Sequence, residues 1–234
     1  MMVPVADHDL WAFYQLITTE NTPLLRSFFG CLAGAVDYLH QVKIRHRDIK
    51  PQNILVKGLH VYLTDFGISL DWENLSRSTT TNETAKSPLY CAPEVARGEK
   101  RNTSADIWSL GCVFVEMLTL IKGRTVDELQ AYFKKSHENV RFNENLSSTQ
   151  EWIQQLQQID SSQTSDSFIA NCILRMLKEN PDERLLTVEL YNKISRYQDL
   201  EKGKENPLCG ECCVSDALSV SDSGSDGDPF ASMA

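Results

Sequence analysis

The sequence predicts a mainly α-helical domain with one small β-hairpin, followed by a disordered tail. Apolar residues recur at helical spacing over residues 24–41, and residues 103–120 are apolar on almost every side, which predicts a buried helix. Two short apolar runs, residues 54–56 and 61–63, lie on either side of a turn at Gly58, a pattern typical of a β-hairpin. These runs predict a helical core that carries a two-stranded hairpin.

The C-terminal stretch differs in composition from the rest of the chain. From about residue 203 onward, serine alternates with aspartate and glycine, and few of these residues can be buried. The stretch from Glu205 onward has six acidic residues and neither lysine nor arginine. Such a composition predicts disorder. We therefore expect a domain over residues 1–202 and a disordered, acidic, serine-rich tail over residues 203–234. Deletion of residues 205–234 should leave the melting temperature unchanged.

The rest of the sequence also predicts helices, but with a less regular spacing of apolar residues. Residues 122–166 are polar, rich in glutamine and helix-prone, and we find no chemistry in them. Shorter helices are expected at residues 10–17, 168–177 and 188–197.

Overall composition limits the classes of protein to which the chain can belong. Hydrophobic residues make up 41% and charged residues 24% of the 234 residues, values that are ordinary for a soluble globular protein. We expect no membrane span, because no apolar run approaches the required length, and no secretory signal is apparent. The net charge is −9 without a basic stripe, so nucleic-acid binding is not indicated.

The seven cysteines favour a reducing compartment. Their number is odd and their spacing forms no disulfide framework, so we expect an intracellular protein, cytoplasmic or nuclear. Cys209-x-x-Cys212-Cys213 resembles half of a metal site or an acylation site. Neither a second half-site nor a neighbouring basic amphipathic helix supports these two interpretations.

Three polar residues around the predicted hairpin indicate phosphoryl transfer. Asp48 and Asn53 precede the first strand, and Asp65 follows the second. The hairpin should bring Asn53 and Asp65 together beside Asp48. An amide and a carboxylate favour Mg²⁺ that also binds substrate phosphate oxygens, and a separate carboxylate can accept the proton of an attacking hydroxyl.

These residues belong to motifs that resemble the catalytic and metal-binding loops of eukaryotic protein kinases. The matching motifs, in chain order, are His46-Arg47-Asp48 with Asn53 five residues after the aspartate, Asp65-Phe66-Gly67, and Ala92-Pro93-Glu94. Lys50 resembles the serine/threonine branch of the family. The resemblance implies the helical C-terminal lobe of a kinase, with ATP and Mg²⁺ as cofactors and a protein that carries Ser or Thr as substrate.

The resemblance also implies a role for each residue of the site. Asp48 would be the base, and Lys50 would neutralise the γ-phosphate of ATP. Asn53 and Asp65 would bind magnesium, and the Ser87 hydroxyl would bridge Asp48 and Lys50.

Supporting roles follow from the same resemblance. Asp106 would hold the backbone of the catalytic loop, and Arg184 would pair with Glu94. Arg47 would either receive a phosphate from the activation segment or form a structural pair with an ordinary carboxylate.

The segment between the metal loop and Ala-Pro-Glu has the composition of a phosphorylatable loop. Phe66 is expected to be a packing residue and Gly67 a flexible joint. Hydroxyl residues are frequent over residues 76–84, although such loops are also common without regulation. Lys86 stands where the family usually has glycine, which is a departure from the pattern.

The first residues resemble the hinge between the two lobes of a kinase. By that resemblance, the backbone of Val3 and Val5 would contact adenine, and Asp7 or Asp9 would contact a ribose. The alternative is a plain helix entry in which Asp9 caps the following helix.

The glycine-rich loop and the phosphate-anchoring lysine of the family are not found in this sequence. There is no Gly-x-Gly-x-x-Gly, and residues 1–42 contain no lysine. We therefore expect a chain that begins inside a kinase domain, or a protein that lacks this lobe and only binds partners. Two functions follow: a serine/threonine kinase, and a kinase-like binding module without catalysis.

Overall fold

The structure is a computed structural model that describes residues 5–65, 70–71, 87–100, 102–160, 164–200 and 207–210. Within these residues the chain is mainly helical, as predicted. The helices are α1 (Leu10–Tyr14), α2 (Thr22–Gln41), α3 (Pro93–Ala96), α4 (Ser104–Ile121), α5 (Val126–Ser136), α6 (Leu146–Gln158), α7 (Thr164–Met176) and α8 (Thr187–Leu200). Short 3₁₀ turns occupy Pro51–Asn53, Pro88–Tyr90, Phe142–Glu144 and Pro181–Glu183.

The predicted hairpin is present and is part of a small antiparallel sheet. The strands are β1 (His8–Asp9), β2 (Ile44–Arg45), β3 (Ile54–Lys57), β4 (His60–Leu63) and β5 (Leu70–Asp71). Strands β3 and β4 pair with Ile54 opposite Leu63, and β1 adds to the other edge of β3. Strand β2 pairs with β5 in a second sheet of two strands. The turn between β3 and β4 is made by Gly58 at φ +55°, a conformation that glycine adopts without steric cost.

Helix α4 lies at the centre of the core, as its apolar composition predicts. It packs against α2, α5, α6 and α7. The ring of Phe114 in α4 meets Phe29 of α2 edge-on, with the centroids 4.8 Å apart. By length and composition α4 is apolar enough to cross a membrane, which the sequence analysis did not expect. However, 72% of this stretch is buried inside the fold, so α4 serves here as a core helix.

The polar stretch after α4 forms two helices, which are held by local capping and by a buried ion pair. Thr125 caps α5 in a reciprocal capping box with Glu128. Lys122, at the end of α4, lies 2.9 Å from Asp166 and donates to the carbonyl oxygen of Ile159 at 2.7 Å. Arg26 of α2 pairs with the same aspartate at 2.9 Å. These contacts join α2 and the end of α4 to α7 and to the loop that precedes it.

The structure corrects the prediction of a disordered tail at residues 207–210. Leu208 is 1% exposed, and its carbonyl oxygen accepts a hydrogen bond from the backbone N–H of Gly30 in α2 at 2.8 Å. The sequence did not indicate this packing because one leucine among polar residues has no periodic pattern. The rest of residues 203–234 lies outside the described residues.

Candidate active site

The carboxylate of Asp106, the second residue after the start of α4, holds the backbone of the loop that carries Asp48. Its two oxygens accept the backbone N–H groups of His46 at 2.9 Å and Arg47 at 2.8 Å. His40, at the end of α2, places Nε2 2.9 Å from the same carboxylate. Arg47 has φ +73°, an unfavourable region for a residue with a side chain, so these contacts stabilise a strained turn. The structure places Asp106 against the backbone of this loop, where the resemblance put it.

Asp48 lies at the centre of a compact polar cluster. Lys50 Nζ donates to Asp48 Oδ2 at 2.7 Å and to Ser87 Oγ at 2.8 Å. Asn53 Nδ2 donates to the carbonyl oxygen of Asp48 at 2.8 Å and to its Oδ2 at 3.0 Å. The structure therefore brings together the four residues that the resemblance assigned to catalysis. Ser87 joins them from a segment 37 residues away from Lys50.

The electrostatics of the cluster keep Asp48 ionised. Burial raises the pKa of Asp48, but hydrogen bonds from Lys50, Ser87 and Asn53 and the positive charge of Lys50 outweigh that effect. The net pKa of Asp48 lies below its ordinary value, so the group is a carboxylate at neutral pH. An ionised carboxylate beside an ammonium group can orient a hydroxyl and accept its proton.

Asn53 and Asp65 lie at the same end of the hairpin, as expected for a pair of metal ligands. Ile54 and Leu63 are paired, and the backbone N–H of Thr64 donates to the carbonyl oxygen of Asn53 at 3.0 Å. Asn53 uses its Nδ2 to hold Asp48, which leaves Oδ1 as the atom for a cation. Asp65 is exposed and has φ +60°.

This donor set fits Mg²⁺ bound together with a nucleotide. One amide oxygen and one carboxylate are hard oxygen ligands, and the remaining positions of an octahedral ion would go to phosphate oxygens and water. Among the described residues, no group of three or more His, Cys, Asp or Glu side chains forms a metal site built by protein alone. The cluster is thus suited to a cation that arrives with its phosphate ligands.

A buried bidentate ion pair anchors the segment after the active site. The two terminal guanidinium nitrogens of Arg184 donate to the carboxylate of Glu94 at 2.7 Å, and the two side chains are almost fully buried. The guanidinium carbon also lies 5.0 Å from the ring centroid of Trp108. Further hydrogen bonds from Arg184 go to the carbonyl oxygens of Ser104, Lys178 and Glu179. Glu94 and Arg184, which the resemblance paired, thus lie in direct contact.

Tyr90 connects the turn beside Ser87 to a buried acid that the sequence analysis missed. The Tyr90 hydroxyl donates to Glu116 Oε1 at 2.9 Å, and Ser109 Oγ donates to the Tyr90 carbonyl oxygen. Burial raises the pKa of Glu116 to about 8, while the hydrogen bond from Tyr90 works in the opposite direction. Glu116 is therefore neutral at pH 7. A glutamate inside the otherwise apolar run of α4 was the signal in the sequence.

The hinge residues make contacts that favour the structural alternative. Asp9 Oδ1 accepts the N–H of Ala12 at 2.7 Å, which is the helix cap left open by the sequence. Asp7 Oδ2 accepts the N–H of Gly58 at 2.9 Å, and the carbonyl oxygen of Val5 accepts from Lys57 at 2.8 Å. These groups tie the first residues to β3 and to the turn that follows it.

Several predicted residues lie outside the part of the chain that the structure describes. They are Val3, Phe66, Gly67, Lys86 and the hydroxyl residues of 76–84. Their expected roles stay predictions, as does the choice between phosphate and carboxylate as the partner of Arg47. Arg47 itself borders a cleft between the catalytic loop and the turn at Ser87 and Tyr90.

The fold and the geometry of the site agree with comparisons to known proteins. The protein kinase domain family matches residues 2–194, and the chain belongs to this family. Members of the family use ATP and Mg²⁺ for phosphoryl transfer.

The chain is similar to serine/threonine kinases from several organisms. It is 43% identical over 97 residues to serine/threonine-protein kinase Sgk3 of Mus musculus, which covers 41% of this chain and 19% of that protein. It is 40% identical over 97 residues to serine/threonine-protein kinase Sgk1 of Homo sapiens, which covers 41% of this chain and 22% of that protein. A longer match of 233 residues, at 32% identity, is to the serine/threonine kinase NLK of Caenorhabditis briggsae and covers 90% of this chain. That match covers 34% of the relative, so the chain spans only about a third or less of these proteins.

Proposed function

We propose that this chain carries the catalytic and metal-binding part of a serine/threonine protein kinase, which transfers the γ-phosphate of ATP to Ser or Thr hydroxyls of protein substrates. The observation that carries the proposal is the position of Lys50, whose ammonium group bridges the Asp48 carboxylate and the Ser87 hydroxyl. A carboxylate, an ammonium group and a hydroxyl within hydrogen-bonding distance suit a site where one hydroxyl attacks a phosphate.

Each residue of the cluster has a defined task in this reaction. Asp48 orients the substrate hydroxyl and accepts its proton, since its lowered pKa keeps it ionised. Lys50 faces the negative charge that develops on the transferred phosphoryl group, and Ser87 holds Lys50 in place. Asn53 and Asp65 are the residues that would bind Mg²⁺, which neutralises phosphate charge when it is bound.

For a polypeptide limited to these 234 residues, we propose a kinase-like binding module as the second candidate function. Residues 1–42 contain no lysine, and the chain has no Gly-x-Gly-x-x-Gly, so the usual contacts to the α- and β-phosphates are not supplied by these residues. Phosphoryl transfer depends mainly on positioning and electrostatic stabilisation, and the loss of these contacts removes most of the rate enhancement. We accordingly propose weak Mg-ATP binding and negligible transfer for the 234-residue polypeptide alone.

The two functions are distinguished by comparing this polypeptide with one extended by the residues encoded upstream of Met1. Phosphate incorporation into a protein substrate and calorimetric Mg-ATP binding are measured for both, with Asp48→Asn in each as the matched control. The kinase proposal requires transfer in the extended form that Asp48→Asn abolishes. An extended form that folds and binds Mg-ATP but never transfers phosphate would support the binding module instead.

Because the reaction consumes ATP, we also propose an intracellular location.

A further inference from the structure

Residues 207–210 lie in a groove between two helices of the domain. Helices α2 and α8 pack against each other, and this segment contacts both of them. Leu208 is 1% exposed and belongs to the hydrophobic core, whereas the other three residues of the segment are only half-buried. The segment is therefore anchored at the surface of the domain by one inserted side chain.

The backbone of Leu208 is held as well as its side chain. Its N–H donates to Gln198 Oε1 of α8 at 2.6 Å, and its carbonyl oxygen accepts the N–H of Gly30 in α2 at 2.8 Å. The groove thus provides an acceptor, a donor and an apolar pocket for a single residue. Protein domains that bind short peptides use the same combination, in which main-chain hydrogen bonds give affinity and a side-chain pocket gives specificity.

Close contacts select the residues that fit the groove. A Cβ atom at Gly30 would lie 2.7 Å from the Leu208 carbonyl oxygen, so only glycine at this position lets a peptide backbone come so near. A Cβ atom at Gly210 would lie 3.1 Å from Cys31 Sγ and 3.5 Å from Ser27 Oγ. The groove therefore favours a leucine that is followed two residues later by glycine.

We propose that this groove is a docking site for partner proteins that carry a Leu-x-Gly segment, and that residues 207–210 occupy it when no partner is bound. The chain's own segment defines the chemistry of the ligand, because the contacts above place its leucine and its glycine. A partner segment displaces Leu208 and takes over its pocket and its two backbone hydrogen bonds. The two segments make the same contacts, so only the attachment of residues 207–210 to the same chain opposes the exchange. The docking site is independent of the proposed kinase function.

This attachment gives the intramolecular segment an advantage that the test has to remove. Residues 201–206 join the segment to the end of α8, and a short tether corresponds to an effective concentration on the order of millimolar. A free peptide should therefore bind the wild-type chain at least about 10-fold more weakly than a chain whose own segment cannot dock. Leu208→Asp provides such a chain, because a carboxylate does not enter an apolar pocket.

Binding is measured on the full 234-residue chain, with a peptide that has the sequence of residues 205–211, ENPLCGE, and carries fluorescein at its N-terminus. Cys31 is disulfide-bonded in the structure, so dithiothreitol is present throughout. We expect fluorescence anisotropy to show saturable binding to Leu208→Asp, with an apparent Kd at least about 10-fold weaker for the wild type. The peptide should also raise the Tm of Leu208→Asp, since it fills the pocket that Leu208 otherwise occupies.

Matched controls test the selected positions. Replacement of the peptide's leucine by aspartate, or of its glycine by valine, should weaken binding by at least about 10-fold. In the protein, Gly30→Ala added to Leu208→Asp should abolish binding. Tyr38→Ala, at an exposed position of the same helix, should leave binding unchanged.

Two results with the soluble variant would overturn the proposal. They are the absence of saturable binding to Leu208→Asp that circular dichroism shows to be folded, and equal binding of the aspartate peptide. If Leu208→Asp does not fold, the wild type is cross-linked to a peptide with a photoactivatable leucine analogue, and the adducts are mapped by mass spectrometry. Adducts beside Gly30 of α2 or Gln198 of α8 support the groove, and their absence there overturns it.

A second copy of the chain is the alternative occupant of the groove. A wild-type dimer that Leu208→Asp dissociates, observed by analytical ultracentrifugation, would identify this occupant and overturn the proposal of a separate partner. A failed kinase assay leaves all these outcomes unchanged.

Discussion

Glu116 offers the sharpest test of the structure, because the protein buries an acid that must stay protonated. Its pKa is raised from 4.5 to about 8, chiefly by burial. In the unfolded chain the group regains its ordinary pKa. Between these two values the folded state binds more protons than the unfolded state, so stability falls as the pH rises.

The magnitude follows from the shift in pKa. A shift from 4.5 to about 8 is worth on the order of 5 kcal/mol over the whole interval, at about 1.4 kcal/mol per pKa unit. Roughly 2 to 3 kcal/mol of this falls between pH 6 and pH 9, where most other carboxyl groups are fully ionised. The contribution is complete below the unfolded-state pKa of 4.5, has partly declined by pH 6, and is lost once the pH passes the folded-state pKa of about 8.

Glu116→Gln isolates this contribution because glutamine keeps the shape and can still accept the Tyr90 hydroxyl. We expect the free energy of unfolding of the variant, relative to the wild type, to rise by about 2 to 3 kcal/mol from pH 6 to pH 9. Urea unfolding followed by tryptophan fluorescence at several pH values measures this difference. Other titrating groups cancel in the comparison.

Glu151→Gln is the matched control, since Glu151 accepts a tyrosine hydroxyl at the surface, from Tyr132 at 2.8 Å. The control variant should follow the pH dependence of the wild type. If Glu116→Gln and the wild type lose stability in parallel between pH 6 and pH 9, Glu116 is not a buried neutral acid, and the reasoning fails.

Three further perturbations test the ion pair, the base and the docking of residues 207–210. Arg184→Ala leaves the buried carboxylate of Glu94 unpaired, which costs about 3–5 kcal/mol, so the Tm should fall by roughly 6 to 20 °C. The control Arg97→Ala, at the surface, should change the Tm little. A fall of only a degree for Arg184→Ala would contradict the burial of the pair. Asp48→Asn is tested in an upstream-extended form that shows phosphoryl transfer. It should reduce kcat by about 10²-fold or more and leave the nucleotide affinity unchanged. Turnover at the wild-type rate would show that Asp48 is not the base. Leu208→Ala should cost about 2–5 kcal/mol in thermal or urea unfolding. If it is no less stable than Leu200→Ala, a substitution of an exposed leucine, residues 207–210 do not dock on the domain.

Local patterns in the sequence were sufficient for the helices, the hairpin and the chemistry of the site. The periodic apolar runs predicted α2 and α4 to within two residues at each end, because a helix buries residues at fixed intervals. Gly58 predicted the turn, because it can adopt a positive φ. Asp48, Asn53 and Asp65 lie within 18 residues of one another on either side of that hairpin, so pairing of two short strands is enough to bring them together.

Only the tertiary structure decided which polar groups are buried and what state they adopt. In the sequence, Glu116 is one acidic residue within an apolar run. Its neutral state depends on burial by the residues packed around it in the fold. Asp7 and Asp9 were open to two interpretations until the structure showed what each accepts. Leu208 is one apolar residue in a polar tail, and it is buried where its backbone bonds to Gly30 of α2 and Gln198 of α8. Periodicity and turn chemistry are local properties, whereas burial, and with it protonation state and docking, is set by partners distant in sequence.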